Sequence, residues 1–292
     1  AYEMLRSLVG SEMCIRDRGS RGHCPRLPIG GHMACILVTN DDGIEAAGLR
    51  ALLQAVRPLA RLVVLAPDHN WSAAGHTKTM HKPLRVTPYS FNCSGAEPSL
   101  EGVQAYTTTG APSDCVALAL LGILPEKPDL VVSGINQGAN LGHDLTYSGT
   151  VAAAMEAVIF GLPAVAVSLD SYNSHDFAFA AQVAARVVSQ VMEHGLPPGV
   201  FLNVNVPCRP PDQIAGVAIT RLGRRVYRDL LIERLDPRGQ PYYWIGGEPP
   251  GGHLDEGTDI WAVSHGYISI TPVHLDMTAH EMIPELQTWR FP

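Results

Sequence analysis

The sequence has few charged and few aromatic side chains, and it lacks the long apolar runs of a membrane protein. Of its 292 residues, 17% are charged and 7% are aromatic, whereas about 25% charged is usual for a globular domain. No apolar run reaches the ~18 residues of a spanning helix. The 28 glycines and 23 prolines follow no period, which excludes a collagen-like repeat. We expect a compact, soluble domain with no membrane partner.

A positive charge balance and a metal-binding cysteine pattern are also missing. The formal net charge is −7, so a stable nucleic-acid partner, which needs a basic surface, is disfavoured. The cysteines are Cys14, Cys24, Cys35, Cys93, Cys115 and Cys208. They form no C-x-x-C pair and have no histidine at zinc spacing. We therefore expect reduced thiols and a cytoplasmic location.

Three common motifs of nucleotide-binding proteins and hydrolases do not occur in the chain. There is no P-loop, no G-x-G-x-x-G after a strand, and no G-x-S-x-G elbow. Their absence disfavours nucleoside triphosphate hydrolysis, dinucleotide binding and a serine-hydrolase mechanism.

Residues 1–32 differ from the rest of the chain because they follow neither a helical nor a strand period. They also lack the 7–15-residue apolar stretch of a secretory signal. Met33 stands directly before a strong strand pattern. We expect residues 1–32 to be a non-native or disordered leader, with an organelle-targeting segment as the weaker alternative.

After Met33, short apolar runs alternate with segments of helical spacing. The predicted strands are Ala34–Thr39, Arg61–Ala66, Asp129–Ser133 and Pro163–Leu169. Helical segments are predicted at Ile44–Val56, Ala117–Leu124, Thr150–Phe160 and Phe177–His194. Alternating strands and helices indicate a parallel sheet covered on both faces. Residues 33–212 are therefore predicted to form an α/β catalytic core, a doubly wound, mainly parallel sheet in a Rossmann-like three-layer sandwich.

Residues 213–292 are predicted to form a separate C-terminal region. The turn signal Asp236-Pro237-Arg238-Gly239 lies between two strand-like runs, Leu230–Arg234 and Tyr242–Ile245. This pattern predicts a β-hairpin, which we expect to act as an oligomerisation arm on a neighbouring subunit. Asp259–Pro272 alternates like a strand and is predicted to return to the core.

Polar residues follow three of the predicted parallel strands, where an open sheet binds its ligands. They include Asn40, Asp41 and Asp42 after the first strand, Asp68, His69, Asn70 and Ser72 after the second, and Asn136 and Asn140 after the third. Adjacent carboxylates repel unless a cation lies between them. Oxygen ligands without histidine or cysteine favour Mg²⁺ or Mn²⁺ over zinc. Helix capping would explain one aspartate but not both.

A helix start at Ser148-Gly149-Thr150 is a candidate phosphate cradle. Backbone N–H groups at a helix N-terminus bind anions, although an ordinary serine cap would have the same sequence. The candidate phosphate- and nucleotide-binding residues are Asn40, Ser72, Asn136, Asn140, Ser148, Gly149 and Thr150. His69 and His76 in the loop are candidate proton donors to a leaving group, while Asp114 is interpreted as the cap of a helix that begins at Cys115.

Several segments together resemble the SurE family of stationary-phase survival proteins, over residues 34–280. The segments are Thr39-Asn40-Asp41-Asp42-Gly43, the loop from Ala66-Pro67-Asp68 to Ser72, Ser133-Gly134-Ile135-Asn136-Gln137-Gly138-Ala139-Asn140, Tyr147-Ser148-Gly149-Thr150-Val151, Asp236-Pro237-Arg238-Gly239 and Ser269-Ile270-Thr271-Pro272. Two positions depart from the family pattern: Ala73 stands where the family usually has glycine, and Ala111 where it usually has threonine.

The resemblance implies a metal-dependent 5′-nucleotidase with one divalent cation per subunit, Mg²⁺ or Mn²⁺. The implied metal ligands are Asp41, Asp42, Ser72 and Asn136. Asp41 and Asp42 are the candidate catalytic residues, since either could orient the attacking water. The expected substrates are nucleoside 5′-monophosphates, with 3′-monophosphates and short polyphosphate as further candidates, and the expected assembly is a homodimer or homotetramer. The alternatives are a nucleotide-binding sensor without turnover and an amide or ester hydrolase.

Overall fold

The computed structural model describes residues 33–91, 100–227, 229–247 and 251–292. The predicted leader, residues 1–32, lies outside the described residues. Within the described ranges, no helix is both long enough and apolar enough to cross a membrane.

The core of the fold is one nine-stranded sheet in the order β3-β4-β2-β1-β5-β6-β7-β13-β8. Its strands are β1 (Cys35–Thr39), β2 (Arg61–Pro67), β3 (Val86–Tyr89), β4 (Gln104–Thr108), β5 (Leu130–Gln137), β6 (Ala164–Asp170), β7 (Val200–Pro207), β8 (Gly216–Ile219) and β13 (Tyr267–His274). Six of the eight neighbouring pairs are parallel; β3 pairs antiparallel with β4, and β13 pairs antiparallel with β7. The prediction of a mainly parallel sheet is confirmed.

Helices cover both faces of this sheet and enclose two apolar cores. The helices are α1 (Ala47–Val56), α2 (Pro112–Leu118), α3 (Gly149–Ile159), α4 (Ala178–His194), α5 (Asp259–Ser264) and α6 (Ile283–Leu286). Side chains of β1 alternate between the cores: Ile36 and Val38 pack with α1 and α4, whereas Cys35 and Leu37 pack with α2 and α3. The two cores establish the predicted doubly wound, three-layer α/β sandwich.

Helix α1 begins three residues later than the sequence pattern suggests. The backbone N–H of Ile44 donates to the carbonyl of Pro67 (2.9 Å), and Gly43 has a φ of 101°. The Asn40 side chain donates to the Gly43 carbonyl (2.8 Å). These contacts keep the residues after β1 in a loop at the sheet edge.

The prediction of one strand over Asp259–Pro272 is wrong in its first half, which forms helix α5. The Thr258 side chain caps this helix by accepting from the Trp261 N–H (3.2 Å). Ile260 and Val263, three residues apart, are both buried against Leu141. Only the second half forms a strand, β13. Strand β5 also differs from its prediction, since it continues to Gln137 with an irregularity between Ser133 and Asn136.

A β-hairpin projects between β8 and α5, as the turn signal predicted. Its strands are β10 (Asp229–Leu235) and β11 (Pro241–Gly247), in antiparallel register. Short strands β9 (Arg225–Val226) and β12 (Gly251–Gly252) pair at its base. The Asp236 carboxylate holds the turn by accepting from the N–H groups of Arg238 and Gln240, both at 2.8 Å.

Candidate active site at the carboxyl edge of the sheet

Asp41 lies directly after β1 and is almost completely buried, with 3% of its surface exposed. Its Oδ1 accepts a hydrogen bond from the hydroxyl of Thr150 in the first turn of α3. Its backbone carbonyl accepts from the N–H of Trp71 (2.8 Å), in the loop after β2. Asp41 therefore joins three chain segments that are far apart in sequence.

Asp42 is half-buried beside it and contacts two other segments. Its Oδ1 accepts from the side chain of Asn70 (3.1 Å), and its Oδ2 lies 3.3 Å from the donating N–H of Gln137, at the end of β5. Asn70 also accepts from the Ser72 N–H through its own Oδ1 (2.7 Å). The adjacent carboxylates thus meet the loop that carries Ser72 at one edge of the sheet.

The start of α3 forms the third side of the site. Ser148 is its N-cap and accepts from the Val151 N–H (3.2 Å), so the capping interpretation of this serine is correct. The N–H groups of Gly149 and Thr150 are in the first turn and have no acceptor within the helix. The positive end of the helix dipole is at the same place. This helix start can therefore cap itself through Ser148 and still present amide donors to an anion.

Asn136 and Asn140 differ in their surroundings. Asn136 is half-buried at the end of β5, and its side-chain amide donates to the carbonyl of Gly138 (2.7 Å). Asn140 instead donates to the hydroxyl of Ser168 (2.8 Å), and its backbone N–H donates to Asn205 (2.8 Å). The side-chain amide of Asn140 is therefore engaged with β6, at the register partner of Asn136.

Burial dominates the electrostatics of the pair. It raises the pKa of Asp41 to about 6, because desolvation and the charge of Asp42 outweigh the hydrogen bond from Thr150. Burial also raises the pKa of Asp42, against the bonds from Gln137 and Asn70. Two carboxylates with raised pKa values that share one edge are an arrangement that a bound cation stabilises.

The chemistry of the neighbouring donors fits a hard divalent cation. Within the described residues, no three of His, Cys, Asp and Glu come together, so a nitrogen- or sulfur-rich zinc site is not formed there. The oxygens near the pair are carboxylate, hydroxyl and amide oxygens, which Mg²⁺ and Mn²⁺ prefer. In addition, the buried Oδ1 of Asn40 has no hydrogen-bond partner among the described residues.

Other polar residues near this edge have structural contacts. The ring of His69 packs on Trp71 with centroids 5.1 Å apart, and His76 binds Glu156. Helix α2 begins at Pro112, earlier than the expected Cys115, and Asp114 accepts from the Ala111 N–H (2.9 Å). Glu156 was not among the predicted site residues. It is the one charged residue in the apolar helix α3, and this was the signal in the sequence that could have identified it.

The fold and the site together define a three-layer α/β protein with a carboxylate pair and a helix N-terminus at the carboxyl edge of its sheet. A model of the family described as "Survival protein SurE" matches residues 36–229. The chain belongs to the SurE family.

Relatives match most of the chain. It is 52% identical over 258 residues to "5′-nucleotidase SurE" of Chloroflexus aggregans, covering 88% of this chain and 99% of the relative. It is 49% identical to the protein of the same name from Herpetosiphon aurantiacus, over 87% of this chain and 97% of the relative. The crystal structure of the SurE protein from Aquifex aeolicus superposes with a TM-score of 0.72 at 39% identity, over 87% of this chain and 98% of that one.

Proposed function

We propose that this chain is a metal-dependent 5′-nucleotidase, which hydrolyses nucleoside 5′-monophosphates to nucleoside and phosphate. The observation that carries the proposal is the direct contact between buried Asp41 and Thr150, because it sets a carboxylate pair beside a helix N-terminus. A cation site next to an anion site is what phosphate-ester hydrolysis requires. The relatives named 5′-nucleotidase SurE support the same activity.

The proposed metal ligands are Asp41, Asp42, Ser72 and Asn136, and we expect them to hold one Mg²⁺ or Mn²⁺ per subunit. The bound cation would supply charge neutralisation of the phosphate and a lowered pKa for a water molecule. Asn70 supports this assignment, since it links the Asp42 carboxylate to the backbone of Ser72.

Several steps fall to the protein's own residues. The N–H groups of Gly149 and Thr150 would bind phosphate oxygens and stabilise the charge that develops on them. The Thr150 hydroxyl holds the Asp41 carboxylate, so that Asp41 or Asp42 can orient the attacking water. Asn40 and Asn140 remain proposed nucleotide-binding residues; for Asn140, the bond to Ser168 would have to open. His69 and His76 remain the candidate proton donors, and each contacts a carboxylate: His69 that of Asp68 and His76 that of Glu156.

The finer substrate range is part of the proposal. Nucleoside 3′-monophosphates and short polyphosphate carry the same terminal phosphate group and would use the same cradle. We propose a cytoplasmic location as well, because the described cysteines Cys35, Cys115 and Cys208 are free thiols, which a reducing compartment maintains.

We also propose that the hairpin joins subunits into a homodimer or homotetramer. The hairpin exposes apolar side chains on both faces: Leu231 (70% exposed) and Ile245 (81%) are opposite each other on one face, and Trp244 (62%) is on the other. Exposed apolar surface of this kind marks protein–protein contacts. A second copy of the chain is the partner that the family resemblance implies.

The test is phosphate release from a panel of nucleoside 5′- and 3′-monophosphates and short polyphosphate, with Mn²⁺, Mg²⁺ or EDTA. Asp41→Asn is the inactivating variant, and Asp236→Asn, in the hairpin turn, is the control for the same change in charge. We expect release that needs the metal, is lost in Asp41→Asn and is kept in Asp236→Asn. A folded protein that binds nucleotide but releases no phosphate with either metal would instead be a sensor.

A further inference from the structure

Glu156 is a buried carboxylate that the proposed reaction does not use. Only 3% of its side chain is exposed, although ionisable residues are seldom so buried unless they are paired. It lies on α3, seven residues after Gly149, which is two turns of the same helix. Glu156 therefore belongs to the element that provides the phosphate cradle.

Both partners of Glu156 come from one loop, the segment that follows β2. Its Oε2 accepts from the ring of His76 (2.9 Å), and its Oε1 accepts from the ammonium group of Lys78 (2.7 Å). Burial raises the pKa of Glu156, but the hydrogen bonds from His76 and Lys78 outweigh burial and bring the pKa below its usual value. The carboxylate is thus charged at neutral pH, and each of its oxygens has a donor from the loop.

The adjoining part of the loop is also held by polar contacts. Asp114 of α2 accepts from the N–H (2.9 Å) and from the hydroxyl (2.7 Å) of Thr79. The N–H of Gly75 donates to the carbonyl of Tyr147 (2.9 Å), directly before α3. Most side chains between residues 72 and 80 are exposed, so polar contacts, rather than apolar burial, keep this segment in place.

These contacts are next to the part of the loop that meets the aspartate pair. Ser72 and Asn70 precede His76 by four and six residues, and Asn70 bonds Asp42. We infer that Glu156 is a positioning residue, which fastens the loop to α3 and thereby holds Ser72 and Asn70 against Asp41 and Asp42. The inference rests on the proposed function, since it assigns Glu156 a role in the affinity of that metal site.

The test compares Glu156→Gln with Glu126→Gln in the full-length protein. A glutamine at position 156 keeps the shape of the side chain but removes the negative charge that His76 and Lys78 contact, so the attachment of the loop to α3 is weakened. Glu126 pairs with Arg61 at the start of β2, at the opposite end of the strand from the loop, and is the matched control. Mn²⁺ affinity is measured by calorimetry without substrate, and hydrogen exchange reports the Ser72 and Gly75 amides.

We expect Glu156→Gln to weaken Mn²⁺ binding roughly tenfold, because residues that orient ligands contribute 10- to 100-fold to metal affinity. The Ser72 and Gly75 amides should exchange faster, while kcat at saturating Mn²⁺ should stay within about threefold of wild type, a range below the losses typical of removed catalytic groups. Glu126→Gln should leave the Mn²⁺ affinity, the amide exchange rates and kcat unchanged.

Lys78→Met is the second variant, in case Glu156→Gln does not fold. Lys78 is 44% exposed, and the loss of its ammonium group should also weaken Mn²⁺ binding.

Two results separate this inference from the proposed function. If Glu156→Gln lowers the melting temperature but binds Mn²⁺ as wild type does, Glu156 is only structural and the inference is overturned. If the wild-type protein releases no phosphate, the nucleotidase proposal fails. The Mn²⁺ titrations of the two variants still decide the role of Glu156 in that case.

Discussion

Gly149 lies so close to Asp41 that a methyl group at position 149 would be 2.7 Å from the Asp41 β-carbon and 3.0 Å from its Oδ2. This is shorter than any ordinary contact between carbon atoms. The absence of a side chain at Gly149 therefore lets the start of α3 reach the buried carboxylate.

Gly149→Ala is expected to separate the helix start from the aspartate pair. Overpacking of this kind costs about 1–3 kcal/mol of stability, and a displacement near 1 Å can lower activity about a hundredfold. The measurement is kcat/KM for a nucleoside monophosphate together with the free energy of unfolding. Gly251→Ala is the matched control, since its nearest neighbour would be the Val226 carbonyl oxygen at an ordinary 3.8 Å. Equal kcat/KM for the two variants would contradict the packing argument.

Asp41 is expected to destabilise the metal-free protein at neutral pH. Its pKa is about 6 in the folded state, whereas the ordinary pKa of an aspartate is 3.8, so the folded state holds this proton more tightly than the unfolded chain. The resulting stabilisation is complete below about pH 4 and is lost as the pH rises through 6. At pH 7 the ionised group costs at most about 3 kcal/mol.

Asp41→Asn removes this titration and should therefore be more stable than wild type at pH 7, in EDTA. The difference in unfolding free energy between the two proteins, measured in urea, should shrink by up to about 3 kcal/mol between pH 7 and pH 4. A difference that stays constant over this range would show that the pKa of Asp41 is not raised.

Ala73 adopts a φ of 60°, a left-handed conformation that glycine tolerates better than alanine. Ala73→Gly should therefore relieve strain in the loop beside Ser72. We expect the unfolding free energy to rise by up to about 1 kcal/mol. Ala74→Gly is the control and should lower it by a similar amount, because a glycine gains freedom in the unfolded chain. The same sign of change in both variants would argue against strain at Ala73.

The hairpin prediction concerns a cross-strand pair, Leu231 and Ile245, which are directly opposite each other. The double variant Leu231→Glu/Ile245→Lys replaces an apolar pair by an opposite-charge pair that antiparallel strands accept. We expect the hairpin to persist and the proposed oligomer to dissociate to monomers at micromolar concentration, as seen by light scattering. An unchanged mass would exclude this surface from the subunit contact.

The sequence pattern predicted the elements whose apolar residues are continuous or periodic. Strands β1, β2 and β6 and helices α3 and α4 begin and end within a residue of their predicted bounds. Strand β7 was missed because Asn203 and Asn205 interrupt its apolar run. In the structure both asparagines are buried, and their side chains donate to the carbonyl of Asn140 at 2.9 and 3.0 Å. A buried polar network of this kind depends on distant residues, which a local pattern does not contain.

For the candidate site, the sequence predicted which polar segments come together but not the direction of each side chain. The rule that polar residues gather beyond parallel strands brought Asp41, Asp42 and the Ser72 loop to one edge, and the structure joins Asp42 to Asn70 of that loop. The direction of Asn140 was not predictable, because β5 extends to Gln137 through an irregular register. Nor were the partners of Glu156 predictable, because they are 78 and 80 residues away in the chain.

The hairpin arm leaves the main sheet after β8 and returns to it through β13, which lies beside β8 in parallel register. Hydrogen bonds hold both ends of the arm. At the first end, Thr220 bonds the hydroxyls of Ser269 (2.8 Å) and Thr271 (2.7 Å). At the second end, Asp259 accepts from the N–H groups of Gly223 and Gly142. These contacts lie at the base of the arm, so a change in length at its tip, around Asp236, should leave the alignment of β8 with β13 unaltered. The base is less free to change, because Arg225 bonds Asp144 (2.6 Å) in the segment that leads into α3.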